Sequence, residues 1–142
     1  MNRRAAVVDT NVVVAALLTS DPRSPTAKVL DAMLDGRFTF LLSTALLAEY
    51  RQVLLRPKIR THHGLTEDEI DRILTELITN AIVREPEPSS HQAPEPGDQH
   101  LWDLLATEAG TVLVTGDRRL LQGPPPNILV QPPASFMTEI EG

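Results

Sequence analysis

Apolar residues along this chain switch repeatedly between short unbroken runs and spacings of three and four. Ala5 to Val8 is a short β-branched run closed by Asp9, the pattern of a strand buried on both faces. Val12 to Leu18 then predicts a helix, so Asp9, Thr10 and Asn11 stand at a strand-to-helix junction. Ser24-Pro25 supplies an N-cap with proline at the first helical position; Val29, Leu30, Met33 and Leu34 form the apolar stripe and Gly36 the stop. Phe38 to Leu42 reads as the next strand. Ser43 caps a helix with Leu46, Leu47, Tyr50, Val53 and Leu54 inward, ended by Arg56-Pro57.

Thr66-Glu67-Asp68-Glu69 has capping-box form, and Ile70, Ile73, Leu74, Leu77 and Ile78 follow at helical spacing. Ala81 to Val83 is a short strand. The run EPEPSSHQAPEPG, residues 85–97, contains four prolines and little to bury, which predicts an exposed extended loop. Its length exceeds most connections within a domain, a sign of function or mobility. Asp98 opens a helix through Leu101, Trp102, Leu104, Leu105 and Ala109, stopped by Gly110. Thr111 to Thr115 is a strand, Gly116-Asp117 the turn after it, and Asn127 to Val130 the last strand. The tail, residues 134–142, follows the Pro132-Pro133 pair as a short fraying helix. Strands alternating with helices predict an α/β fold, a mostly parallel sheet with helices on both faces. Ligands of such sheets bind beyond the carboxyl ends of the strands, where strand order reverses.

The chain has 142 residues, 42% of them hydrophobic, which suits one domain spanning 1–142 with a single core. It has no cysteine, which excludes disulfides, thiolate zinc sites and thiol nucleophiles and leaves oxygen or histidine as metal ligands. Arg3 and Arg4 before an apolar run imitate a secretory leader. Asp9 opposes that reading, since an Asp at the centre of an inserted helix costs roughly 2.5 to 3.5 kcal/mol. No stretch reaches membrane-spanning length, and a cytoplasmic protein without a membrane partner is expected. The net charge of −6 argues against a nucleic-acid partner, but its distribution matters more than its sum. Arg51, Arg56, Lys58 and Arg60 fall with His62 and His63 in a segment without an acid between Glu49 and Glu67, and Arg118-Arg119 makes a second basic spot. Solvated helix faces produce similar clusters.

Four acids lie where such a sheet presents its rim: Asp9 after the first strand, Glu49 two turns into the helix after the second, Asp98 at a late helix start, and Asp117 past VLVT. Two like charges about 4 Å apart repel by roughly 4 kcal/mol at an effective dielectric of 20, an objection that a divalent cation removes. Oxygen ligands without cysteine or a histidine pair favour Mg²⁺ or Mn²⁺, and phosphodiester hydrolysis is the chemistry implied. Each acid has a plainer alternative. Asp9 and Asp98 suit helix N-caps, Glu49 a solvated face, and Asp117 a turn. Thr115 is either a strand residue or a water or metal contact. Asp103 should be solvated, and His100 a surface residue. His62 and His63 are adjacent and diverge, and His91 sits in the proline loop. Trp102 reads as core rather than a base-stacking platform.

Taken in order, VVDTNVVVAALL, LLAEYRQVLLRPKI, PGDQHLWDLLATEAGTVLVTGDRRLL and NILVQPP resemble a PIN domain, of the small stand-alone type that forms the toxin of toxin-antitoxin pairs. The resemblance spans nearly the whole chain. It rests most on DTN, on the segment from Glu49 to Lys58, and on TGD followed by a double leucine. It implies a sheet of about five strands in the order 3-2-1-4-5, with Asp9 and Asp117 facing each other across the switch point. It also implies Asp9, Glu49, Asp98 and Asp117 as ligands of one or two Mg²⁺ or Mn²⁺ ions, Asn11 as the residue orienting Asp9, and Thr115 as a hydroxyl near the metal. The implied activity is endoribonuclease cleavage of single-stranded RNA by metal-activated water, leaving 5′-phosphate and 3′-hydroxyl ends. Arg51, Arg56, Lys58 and Arg118 would neutralise the RNA backbone, a cognate antitoxin would block the rim, and a homodimer is expected. The sequence departs from the family's acid-rich pattern at EPGDQHL, where Gly97 replaces one acid and the contribution of Glu95 is open.

Three rival readings share parts of this pattern. A haloacid-dehalogenase phosphatase needs a second Asp two positions after the first, where this chain has Asn11. A response-regulator receiver needs an acidic pair and a late lysine, neither of which is present. A non-catalytic RNA- or protein-binding module on the same fold stays as the alternative of another class.

Overall fold

Two apolar runs far apart in the chain, brought together in parallel, build the centre of the molecule. The computed structural model describes residues 4–142; Arg3, part of the leader-like pattern, lies outside them. Strand β1 (Ala6–Val8) pairs with β4 (Val112–Val114) in the register Ala6↔Val112 to Val8↔Val114, and β4 pairs in turn with β5 (Leu129–Gln131). On the other side β2 (Leu41–Leu42) pairs with β3 (Ile82–Val83). All these pairings are parallel. Successive residues of a strand face opposite sides of its sheet, and every residue of β1 and β4 is buried, so both faces are covered.

The α/β class holds, and one detail of the sheet differs. Strands β1-β4-β5 and β2-β3 form separate hydrogen-bonded groups, joined by a bridge between Ala6 and Phe40 and by Ala6 N–H donating to the Thr39 carbonyl at 3.0 Å. The expected order is therefore interrupted between β1 and β2 rather than continuous.

The helices are α1 (Thr10–Leu18), α2 (Pro25–Leu34), α3 (Thr44–Leu54), α4 (Pro57–His63), α5 (Glu67–Asn80), α6 (Gln99–Leu105), α7 (Arg118–Gln122) and α8 (Pro133–Glu141). Their starts follow the capping residues. The Ser24 hydroxyl accepts from Ala27 N–H, that of Ser43 from Leu46 N–H, and Thr66 and Glu69 exchange both bonds of the capping box. Two helices escape the sequence pattern. Pro57 ends α3 but also occupies the first position of α4, which Gly64 closes at a φ of 67°. Asp117 caps α7 through Arg119 N–H at 2.9 Å. Helix α6 ends at Leu105, short of the expected Ala109; the Thr107 hydroxyl donates to the Leu104 carbonyl there.

The tail is docked rather than frayed: Phe136 and Met137 of α8 are buried, and the Phe136 ring meets Phe38 edge-on at 4.9 Å between centroids. The proline-rich stretch is likewise tied down. Asp103, expected to be solvated, accepts from Ser89 N–H at 2.8 Å, and Gln99 bridges Ala93 N–H and the His91 carbonyl. Trp102 is core, 2% exposed. None of the helices described is long and apolar enough to cross a membrane.

Candidate active site

The register of β1 against β4 decides what meets at the rim. Val8 sits opposite Val114, so the next residues, Asp9 and Thr115, emerge side by side, with Asp9 N–H donating to the Val114 carbonyl at 2.9 Å. The Thr115 hydroxyl donates to Asp9 Oδ2 at 2.9 Å, and Asn11 Nδ2 reaches the same oxygen at 3.3 Å. Asn11 also spans to the turn after β4: its Nδ2 donates to the Thr115 hydroxyl and its Oδ1 accepts from Gly116 N–H at 2.9 Å. One amide thus braces the junctions that follow β1 and β4.

Helix α3 is fixed over this end of the sheet by Tyr50, fully buried, whose hydroxyl donates to the Val8 carbonyl at 2.5 Å. That anchor holds the neighbouring Glu49 at the rim. Glu49 Oε1 accepts from the Thr10 hydroxyl of α1, and Oε2 lies 2.8 Å from His100 Nε2 of α6. His100, expected at the surface, is a largely buried neighbour of the acid group, with its side chain 20% exposed.

Asp9, Thr10, Asn11, Glu49, Asp98 and Asp117 all line one pocket of about 560 Å³, whose wall also includes Val14, Ala15, Leu18, Val53 and Arg56. Acids from four separate segments therefore share one cavity beyond the carboxyl ends of β1 and β4. Asp98 occupies the N-cap position of α6 yet makes no side-chain capping bond, whereas Asp117 lends one oxygen to cap α7. Gly97 and Glu95 do not line the pocket; Glu95 lies 3.8 Å from Arg119 in an exposed pair.

The electrostatics record the crowding. Burial, with the charges of Asp98 and Glu49 adding to it, lifts Asp9 to about 6, against the opposing pull of the Thr115 hydroxyl. Burial and the Glu49 charge push Asp98 upward as well. Burial, then Asp9 and Glu49, raise Tyr50 far above the ordinary tyrosine value, so its hydroxyl stays a donor. Among the described residues, however, no three His, Asp or Glu side chains already stand at a spacing that would hold a metal ion. Glu49 is meanwhile bonded to Thr10 and His100, and Asp117 to the Arg119 amide. In kind the donor set fits a hard divalent cation, being carboxylate oxygens that repel one another around one pocket.

The PIN domain family profile matches residues 5–119. The chain belongs to the PIN domain family. PIN domains are generally metal-dependent nucleases, so the coarse chemistry is that of a hydrolase acting on nucleic acid. The match ends just past Asp117 and so contains all four pocket acids. Comparison with curated proteins and with solved structures yields no match.

The basic residues of this PIN domain divide. Arg51 does not offer a free charge: its Nε donates to Asp71 at 2.8 Å and its Nη2 to Glu67 at 2.5 Å, tying α3 to α5. The basic stretch read along the sequence is thus partly neutralised by acids of the following helix. Arg56 stands in the pocket wall, and Lys58 and Arg118 are exposed. His63 serves the backbone, bonding the Leu54 carbonyl and Leu65 N–H.

Proposed function

We propose that this PIN domain is a Mg²⁺- or Mn²⁺-dependent endoribonuclease that hydrolyses phosphodiester bonds of single-stranded RNA. The observation that carries the reading is the meeting of Asp9, Glu49, Asp98 and Asp117 in one pocket at the carboxyl ends of β1 and β4. Those four carboxylates would hold one or two ions. When bound, such an ion acidifies a water to serve as nucleophile and offsets charge building on the scissile phosphate. Asn11 and Thr115 fix the carboxylate of Asp9, and the hydroxyl of Thr115 favours its ionised form. Arg56, Lys58 and Arg118 meet the phosphates of the chain on either side of the cut. The apolar wall of Val14, Ala15, Leu18 and Val53 gives unpaired bases a surface to lie on, which a duplex with its bases stacked inward cannot use.

Products would carry 5′-phosphate and 3′-hydroxyl ends. The motif order supports a place as the cytoplasmic toxin of a toxin-antitoxin pair, working as a homodimer and silenced by an antitoxin covering the acid rim. The purified protein should cleave unstructured RNA with Mg²⁺ or Mn²⁺ and not in EDTA, and Asp9→Asn should abolish cleavage. Cleavage retained by that variant would refute the ligand assignment. The alternative is a non-catalytic RNA- or protein-binding module on the same fold, which failure to turn over any RNA with metal present would favour.

A further inference from the structure

Glu49 is the one pocket acid gripped on both oxygens by side chains of other elements, Thr10 of α1 on Oε1 and His100 of α6 on Oε2. An ionised carboxylate has no proton to give, so the proton in the second bond sits on His100 Nε2. The other ring nitrogen, Nδ1, is buried without a hydrogen-bond partner. Leaving a buried polar atom unpaired is costly, and the ring's sole side-chain polar contact is the one to Glu49. The one polar bond of the imidazole therefore goes to that carboxylate, across from α6 to α3.

We propose that His100 is a positioning residue for Glu49, holding its carboxylate toward the pocket so that the acid is oriented before the ion arrives. The proposal rests on the metal-dependent nuclease reading and extends it to a side chain outside the acidic set. Residues that orient a metal ligand through hydrogen bonds typically change affinity about 10- to 100-fold when lost.

The test is Mn²⁺ binding to the full chain, measured by titration calorimetry in the absence of RNA. His100→Leu keeps apolar bulk and removes the donor; His100→Gln restores an N–H at the same number of bonds from the backbone. We expect His100→Leu to weaken Mn²⁺ binding about tenfold, His100→Gln to recover most of that loss, and melting in EDTA to show both folded. Should the leucine variant not fold, His100→Asn carries the same test, since its amide falls one bond short of Glu49. Wild-type affinity in His100→Leu or His100→Asn, or a His100→Gln as weak as either, overturns the positioning role while leaving the metal reading intact. Glu49→Gln with wild-type affinity overturns the positioning role alone, whereas a wild type that binds no Mn²⁺ overturns both, and that failure is visible before any His100 variant is measured.

Discussion

Replacing Asp9 with asparagine should make this protein more stable while removing its activity. Asp9 is 8% exposed and titrates near 6 rather than at its ordinary value of 3.8. A shift of about two units corresponds to roughly 3 kcal/mol of penalty for keeping the carboxylate ionised in the folded state. The sign follows from the protons bound. Below about pH 4 both folded and unfolded chains hold the proton and no penalty exists. Between about 4 and 6 the unfolded chain has released it and the native chain has not, so stability falls as pH rises. Above about 6 the native carboxylate is charged and the whole penalty persists.

Asparagine matches the shape of aspartate, can still accept from Thr115, and carries no charge beside Asp98 and Glu49. Part of the gain returns as the cost of burying an amide, leaving about 1 to 2 kcal/mol, or roughly 3 to 7 °C in melting temperature for a chain of this size. The assay is thermal unfolding in EDTA at several pH values from 4 to 8. The wild type should lose stability across 4 to 6 by more than Asp9→Asn does, and the variant should melt higher at pH 7.5. Added Mn²⁺ should raise the melting temperature of the wild type and leave the variant unmoved. A variant that melts below the wild type at pH 7.5, or shares its pH slope, refutes the claim that a buried, crowded charge is held at this position.

Three further outcomes are expected. Tyr50→Phe removes the donor to the buried Val8 carbonyl and should cost about 1 to 3 kcal/mol in urea unfolding, with a loss of cleavage rate as α3 loosens over the rim. Thr115→Val removes the hydroxyl that favours ionised Asp9, so the rising limb of the pH–rate profile should move to higher pH. Arg56→Ala should lower the salt dependence of RNA binding by a slope of about 0.7, while Arg51→Ala, already paired with Asp71 and Glu67, should leave that slope unchanged and show as a small loss of stability.

What was legible in the sequence was whatever one segment expresses by itself. The run from Ala5 to Val8 carries its burial in its composition, and Thr66 with Glu69 carries a helix start in two side chains. Pro57 misleads because the residue that ends one helix also opens the next, and α7 is too short to show a period. The site was legible in part for the same reason. Asp98 reads as a helix-start acid and Asp117 as a turn residue, yet Asp117, with extended backbone, caps α7, while Asp98, at a φ of −97° and a ψ of 2°, makes no capping bond to α6. His100 gave no signal, because its meaning lies in Glu49, 51 positions away. The pairing of Arg51 with Glu67 and Asp71 likewise depends on how α3 and α5 pack, so one arginine of a stretch basic in sequence is neutralised in space.

The interruption between β1 and β2 has a physical counterpart in the site. Ala6 turns its N–H toward β2, and backbone groups alternate along a strand, so Val8, two residues on, faces the same side. In the register of Ala6 opposite Phe40, a continued ladder would offer the Val8 carbonyl the amide of Ser43, just past β2. Here that carbonyl accepts from Tyr50 instead, so a side chain of α3 takes the position of a ladder partner. The substitution ties the helix that carries Glu49 directly to the residue preceding Asp9. Two acids 40 positions apart are thereby referred to one backbone atom, which a purely strand-to-strand bond could not do. The gap in the sheet thus leaves the Val8 carbonyl to a side chain of α3, and that bond pairs the fully buried Tyr50 hydroxyl.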